Sequence, residues 1–86
     1  MIETSINIEL CGRLAEPCGR VLNIGIPNCG LSVPEMVARL VQYFPNLLPV
    51  LERGRIRACI NETVVPDQAR VRPGDQVALF PPVSGG

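Results

Sequence analysis

The chain has no histidine, no lysine and no tryptophan, and only two phenylalanines and one tyrosine among its 86 residues. Without histidine there is no imidazole base poised near neutral pH, and without lysine there is neither a Schiff-base amine nor an amine nucleophile. All eight cations are arginine and eight carboxylates cancel them, so no net field draws the molecule to nucleic acid or to a lipid surface. No apolar run is long enough to cross a bilayer and no basic-then-apolar leader opens the sequence, so a soluble, cytoplasmic protein is expected. The four cysteines (Cys11, Cys18, Cys29, Cys59) show no Cys-x-x-Cys spacing. Free thiols are therefore expected over two disulfides or one zinc site, and no metal ligands are assigned. A chain this short forms one domain with a modest core, which leaves little room for a deep, self-contained active site.

What is present is a clear hydrophobic pattern. Ile6, Ile8 and Leu10 alternate with Asn7, Glu9 and Cys11, a period of two that predicts a strand with its aliphatics on one face. Gly12 to Arg20, with Pro17 and two glycines, reads as a turn, after which Leu22, Ile24 and Ile26 resume the alternation and complete a hairpin. Ser32 with Glu35 three residues on forms a capping box, and Pro34 is tolerated in a first turn, so a helix is expected from Ser32. Met36, Val37, Leu40, Val41 and Phe44 make its apolar stripe, Glu35, Arg39 and Gln42 face away, and Pro45 stops it. Leu47 to Leu51, interrupted by Pro49, is a connector with a short turn. Ile56, Ala58 and Ile60 predict a third strand, Asn61-Glu62 a turn, Val64 and Val65 a very short strand, Arg72-Pro73-Gly74-Asp75 a second turn, and Val77 with Leu79 the last strand. One helix must then cross one face of a mixed sheet of four to five strands, an α+β architecture of the β-grasp, or ubiquitin-like, kind. The domain is expected to span 1–80, followed by a flexible, extended tail over 81–86.

The tail carries the chemical signal. At ordinary glycine usage two glycines fall together at a chain end only about once in two hundred cases. Pro81-Pro82 favours a stiff, extended path away from the sheet edge, with Gly85-Gly86 at its tip. From Val83 to Gly86 extended chain spans roughly 13 Å at about 3.3 Å per residue, and glycine lacks the Cβ that would block a narrow channel. The deliverable group is then the carboxylate of Gly86. A carboxylate is a poor electrophile, but joined to AMP it would let a sulfur nucleophile on a partner displace the nucleotide and leave a thiocarboxylate. No base within the chain is needed for this, which suits a sequence without histidine. Phe80, out of phase with the inward Val77 and Leu79, is expected on the helix-free face as part of a docking surface.

The ending from Asp75 to Gly86, Asp-Gln-Val-Ala-Leu-Phe-Pro-Pro-Val-Ser-Gly-Gly, closely resembles that of the ubiquitin-like sulfur-carrier family to which molybdopterin synthase small subunits belong. Arg57-Ala-Cys-Ile-Asn61-Glu62 looks like the family's third strand and turn, and Leu10-Cys-Gly-Arg-Leu-Ala-Glu like the end of its first strand. The resemblance implies an E1-like enzyme that uses ATP to adenylate Gly86, a sulfur-donating enzyme, and insertion of the tail into the large subunit of molybdopterin synthase within a heterotetramer. There sulfur passes to the pterin precursor of molybdenum cofactor, so this chain is the non-catalytic, sulfur-donating subunit of a sulfurtransferase and binds no cofactor itself. By the same resemblance Gly86 is the thiocarboxylate position, Gly85 its small neighbour, and Pro81, Pro82, Val83 and Ser84 the inserted arm. Phe80, Val64 and Cys11 fall at the partner interface, although the family usually has a bulkier apolar residue where this chain has Cys11.

Competing readings share the fold. A carrier for the thiamine thiazole ring, for cysteine or for thiolated transfer RNA would use the same diglycine chemistry, and the paired prolines argue against the thiamine branch. A protein modifier would join Gly86 to lysines of targets, and an interaction domain would use no terminal chemistry at all. Cys59, on the side of its strand shared with Arg57, would suit a sulfur relay or, more ordinarily, packing among strand side chains.

Overall fold

A computed structural model describes residues 3–52 and 56–81. The strand β1 (Glu3–Leu10) buries Ile6, Ile8 and Leu10 and turns Asn7 and Glu9 outward. It pairs antiparallel with β2 (Val21–Pro27) in a register that sets Ile6 opposite Ile24, so that both strands present aliphatics to the same side. The intervening turn contains one 3-10 helix, Gly12–Ala15, whose Leu14 is fully buried and plugs one end of the core.

After β3 (Leu31–Ser32) comes the helix α1 (Val33–Tyr43). The Glu35 amide donates to Ser32 Oγ (3.3 Å) and the Ser32 amide to Glu35 Oε1 (2.9 Å), so two helix-end donors are satisfied reciprocally. Met36 and Leu40 are fully buried, with Val37, Val41 and Phe44 packed partly beside them. Arg39 does not simply face solvent. Its Nη1 donates to Glu3 Oε2 (2.7 Å) and to the carbonyl oxygen of Gly25 (3.0 Å), tying the helix to the β1–β2 edge. Pro45 has no amide hydrogen to continue α1; the chain instead makes a 3-10 turn at Pro45–Leu47 and the one-turn helix α2 (Leu48–Leu51), which seat Leu47 and Leu51 in the core.

The strands β4 (Arg57–Ile60) and β5 (Thr63–Val65) form a tight hairpin. Asn61 and Glu62 both have positive φ (51° and 70°), as a two-residue turn matching strand twist requires. A second sheet of two strands, β3 with β6 (Arg70–Val71), has no counterpart in the sequence reading. Its turn depends on Gly30, at φ +84°, where a Cβ would lie 2.4 Å from the Val71 carbonyl oxygen. Last comes β7 (Val77–Phe80), which enters the middle of the main sheet, parallel to β1 and antiparallel to β4. The main sheet therefore runs β2-β1-β7-β4-β5: a five-stranded mixed sheet crossed by α1, the β-grasp expected from the element order. No helix among the described residues is long and apolar enough to cross a membrane.

Candidate docking face and tail root

Because α1 covers one side of the sheet, every second residue of each strand is left on the other. Val77 and Leu79 point into the core (3% and 0% exposed), which turns Ala78 and Phe80 to the helix-free side, both partly exposed. The registers align this open face in rows. One row runs Val21, Glu9, Ala78, Cys59, Val64 across all five strands, since Glu9 lies opposite Val21 and Ala78, and Cys59 opposite Ala78 and Val64. The row beside it sets Phe80 opposite Arg57, and Cys11 flanks it where its amide donates to the Leu79 carbonyl (3.0 Å).

Phe80, Val64 and Cys11 thus share one face but do not form a contiguous trio. Val64, 59% exposed, is joined to Phe80 through Cys59 and Ala78, and both of these belong to the surface. Ala78 was legible from the alternation that placed Phe80; its place between Glu9 and Cys59 in the row needed the cross-strand registers. On this face Ala78, Cys59 and Val64 put small side chains beside the one aromatic ring, with Glu9 and Arg57 in the same rows.

The Cys11 thiol is pushed above its ordinary pKa, chiefly by burial and next by the negative charge of Glu9, with Arg20 opposing. At neutral pH it remains a thiol, a small apolar group with little nucleophilic character. All four cysteines are free, and no group of three or more histidine, cysteine, aspartate or glutamate side chains converges as a metal site among the described residues.

The tail leaves the domain at a fixed point. Phe80 is the last residue of β7, held between β1 and β4, and Pro81 follows against Gly12. Gly12 has φ +59°, and a Cβ there would stand 3.3 Å from Pro81 Cγ, so the turn after β1 sits directly against the first proline of the arm. Sequence spacing gave no sign of this contact. Pro82, Val83, Ser84, Gly85 and Gly86 lie outside the described residues.

With this geometry in hand, comparison with known proteins is decisive for the family: the sequence model of the ThiS family matches residues 9–86. The chain belongs to the ThiS family. Within it, the molybdopterin synthase sulfur carrier subunit of Haemophilus influenzae is 47% identical over 36 residues, which is 42% of this chain and 44% of that protein. The matched stretch thus spans less than half of that curated relative. Among solved structures, SAMP1 of Haloferax volcanii aligns with a TM-score of 0.76 at 28% identity, covering 95% of this chain and 99% of that one. Subunits 1 and 2 of the molybdopterin-converting factor of Helicobacter pylori, solved as a protein–protein complex, align with a TM-score of 0.63 at 21% identity, covering 96% of this chain and 100% of the matched one, a likeness of fold. The ThiS-family match takes in the last two residues of β1, all of β2, β4, β5 and β7, and the Gly85-Gly86 end.

Proposed function

We propose that the protein is a cytoplasmic sulfur carrier for molybdopterin synthesis. An adenylating enzyme joins the Gly86 carboxylate to AMP, with pyrophosphate released from ATP. A persulfide on a sulfur-donating enzyme then attacks the carbonyl carbon and displaces AMP, and a thiol reductant cleaves the resulting S–S bond to leave a thiocarboxylate. The loaded tail, Pro81 to Gly86, enters the large subunit of molybdopterin synthase while the open face around Phe80, Val64 and Cys11 docks against that subunit. The observation that carries this reading is the family match extending through Gly86, and the similarity to molybdopterin synthase sulfur carrier subunits supports the choice of pathway.

The test is intact mass spectrometry after co-expression with an adenylating enzyme and a sulfur donor. The expected result is a mass gain equal to exchanging one oxygen for sulfur, absent from a form lacking Gly86. Neither that gain nor an AMP adduct in any pairing would overturn the reading. A second reading, a protein modifier linked through Gly86 to lysines of targets, is favoured by the likeness to SAMP1, a small archaeal modifier protein. It predicts adducts in cell extracts that withstand thiol reductant and disappear with Gly86.

A further inference from the structure

Arg57 occupies a particular position on the open face. It stands directly opposite Phe80 in the β4–β7 register, at the root of the tail, and it is exposed. Among the described residues no hydrogen bond or ion pair engages its guanidinium. Arg20 reaches Glu9, Arg39 holds Glu3 and the Gly25 carbonyl, and Arg70 donates to the Cys29 carbonyl; Arg13 and Arg72 are, like Arg57, unengaged through their guanidinium groups among the described residues, and what sets Arg57 apart is its place opposite Phe80. The carboxylate that shares this face, Glu9, is the one already facing Arg20. Among the described residues, the surface around Phe80 therefore has small apolar side chains at its centre and the unengaged charge of Arg57 at its margin.

We propose that Arg57 is a specificity-determining residue of the docking face, reading a carboxylate that the large subunit places opposite it beside the Phe80 contact. This rests on the docking reading given above and deepens it. Arginine suits the task because its planar fork grips a carboxylate through two parallel N–H···O bonds, and because its charge is retained at all physiological pH values. A long-lived complex needs the apolar contact at Phe80; selection among β-grasp partners needs a charge that rejects a mismatched, cationic surface. Paired with Phe80 at the start of β4, Arg57 sets the rotation of the partner about the tail axis, which apolar contact with small side chains leaves loosely defined.

Association of the full chain with the large subunit of the same organism's molybdopterin synthase, followed by stopped flow as salt is raised, tests this. Arg57→Glu is expected to slow association roughly tenfold at low ionic strength, with the deficit fading as salt screens it, and Arg57→Lys to recover most of the rate. Arg72→Glu makes the same change in net charge in the turn after β6, away from the open face, and is expected to have little effect. Phe80→Asp, its folding checked by thermal melting, tests the docking face itself. Loss of binding in Phe80→Asp with no difference between Arg57→Glu and wild type, or equal slowing by Arg57→Glu and Arg72→Glu, would overturn the role of Arg57 and leave the face standing. Normal binding by Phe80→Asp as well as Arg57→Glu would overturn both.

Discussion

At the scale of single residues, the turn between β4 and β5 combines one well-chosen residue with one that conflicts with its backbone. Asn61 tolerates a left-handed φ and both ends of its side-chain amide are engaged: Nδ2 donates to Asp75 Oδ1 (3.1 Å) and Oδ1 accepts from the Gln76 amide (2.9 Å). Glu62, at φ 70°, is exposed, and no hydrogen bond or ion pair of the described residues offsets the clash of its Cβ with the backbone. Glycine at this second turn position removes that clash, although the freer unfolded chain cancels part of the gain. Glu62→Gly is therefore expected to stabilise the domain by roughly 0.5–1 kcal/mol, read as a higher urea midpoint at unchanged slope. An unchanged or lower midpoint would mean that Glu62 makes a compensating interaction in the folded state.

At the scale of elements, α1 is held by its N-terminal capping box. The Glu35 carboxyl sits below its ordinary pKa, first through the Ser32 backbone hydrogen bond and next through the Ser32 side chain. A carboxylate with a depressed folded-state pKa contributes stability that is present above its unfolded value and lost as pH falls through the folded one. Ser32→Ala removes one half of the box and is expected to cost about 1 kcal/mol near neutral pH. Glu35→Gln should be less stable than wild type at pH 7, with the gap closing as the solution is acidified through the carboxylate range; a gap that stays constant would show the box to be insensitive to charge. This box was legible in the sequence because Ser-x-x-Glu is a local signal, and so were the strands, because Ile6, Ile8 and Leu10 state their period directly. The sheet of β3 and β6 was not, since two residues per strand carry no period and the pairing depends on Gly30 fitting under the Val71 carbonyl. Arg39 fell between these cases. Its place on the polar side of the stripe was visible, but its reach to Gly25 comes from how α1 crosses the sheet. The same holds for the candidate site: Phe80 was placed by alternation, while the connection to Val64 through Cys59 and the contact of Gly12 with Pro81 arise from pairing between distant segments.

At the scale of the whole molecule, the lack of lysine bears on the proposed activation of the Gly86 carboxyl. An acyl adenylate is attacked by any unprotonated amine within reach, forming an amide and releasing AMP. Lysine amines supply such attackers because a fraction is neutral near pH 7–8 when the environment lowers their pKa, whereas the guanidinium of arginine stays protonated and non-nucleophilic. All eight cations here are arginine, so no side-chain amine of one copy can intercept the activated tail of another. Under either proposed reading the consequence is the same: copies do not link to one another through side-chain amines, so a carrier forms no covalent pair by this route and a modifier builds no chains on itself. Incubation with an adenylating enzyme and ATP, without a sulfur donor, is expected to give the adenylate and no species of twice the mass on a denaturing gel. Arg20→Lys, at a largely exposed position (79%) just before β2, which β1 separates from β7, introduces one amine. This variant should yield a linked pair lighter by one water than two copies, and the product should disappear when Gly86 is removed. Equal amounts of linked pair from wild type, persisting after the N-terminal amine is acetylated, would show that some group other than an amine captures the activated tail.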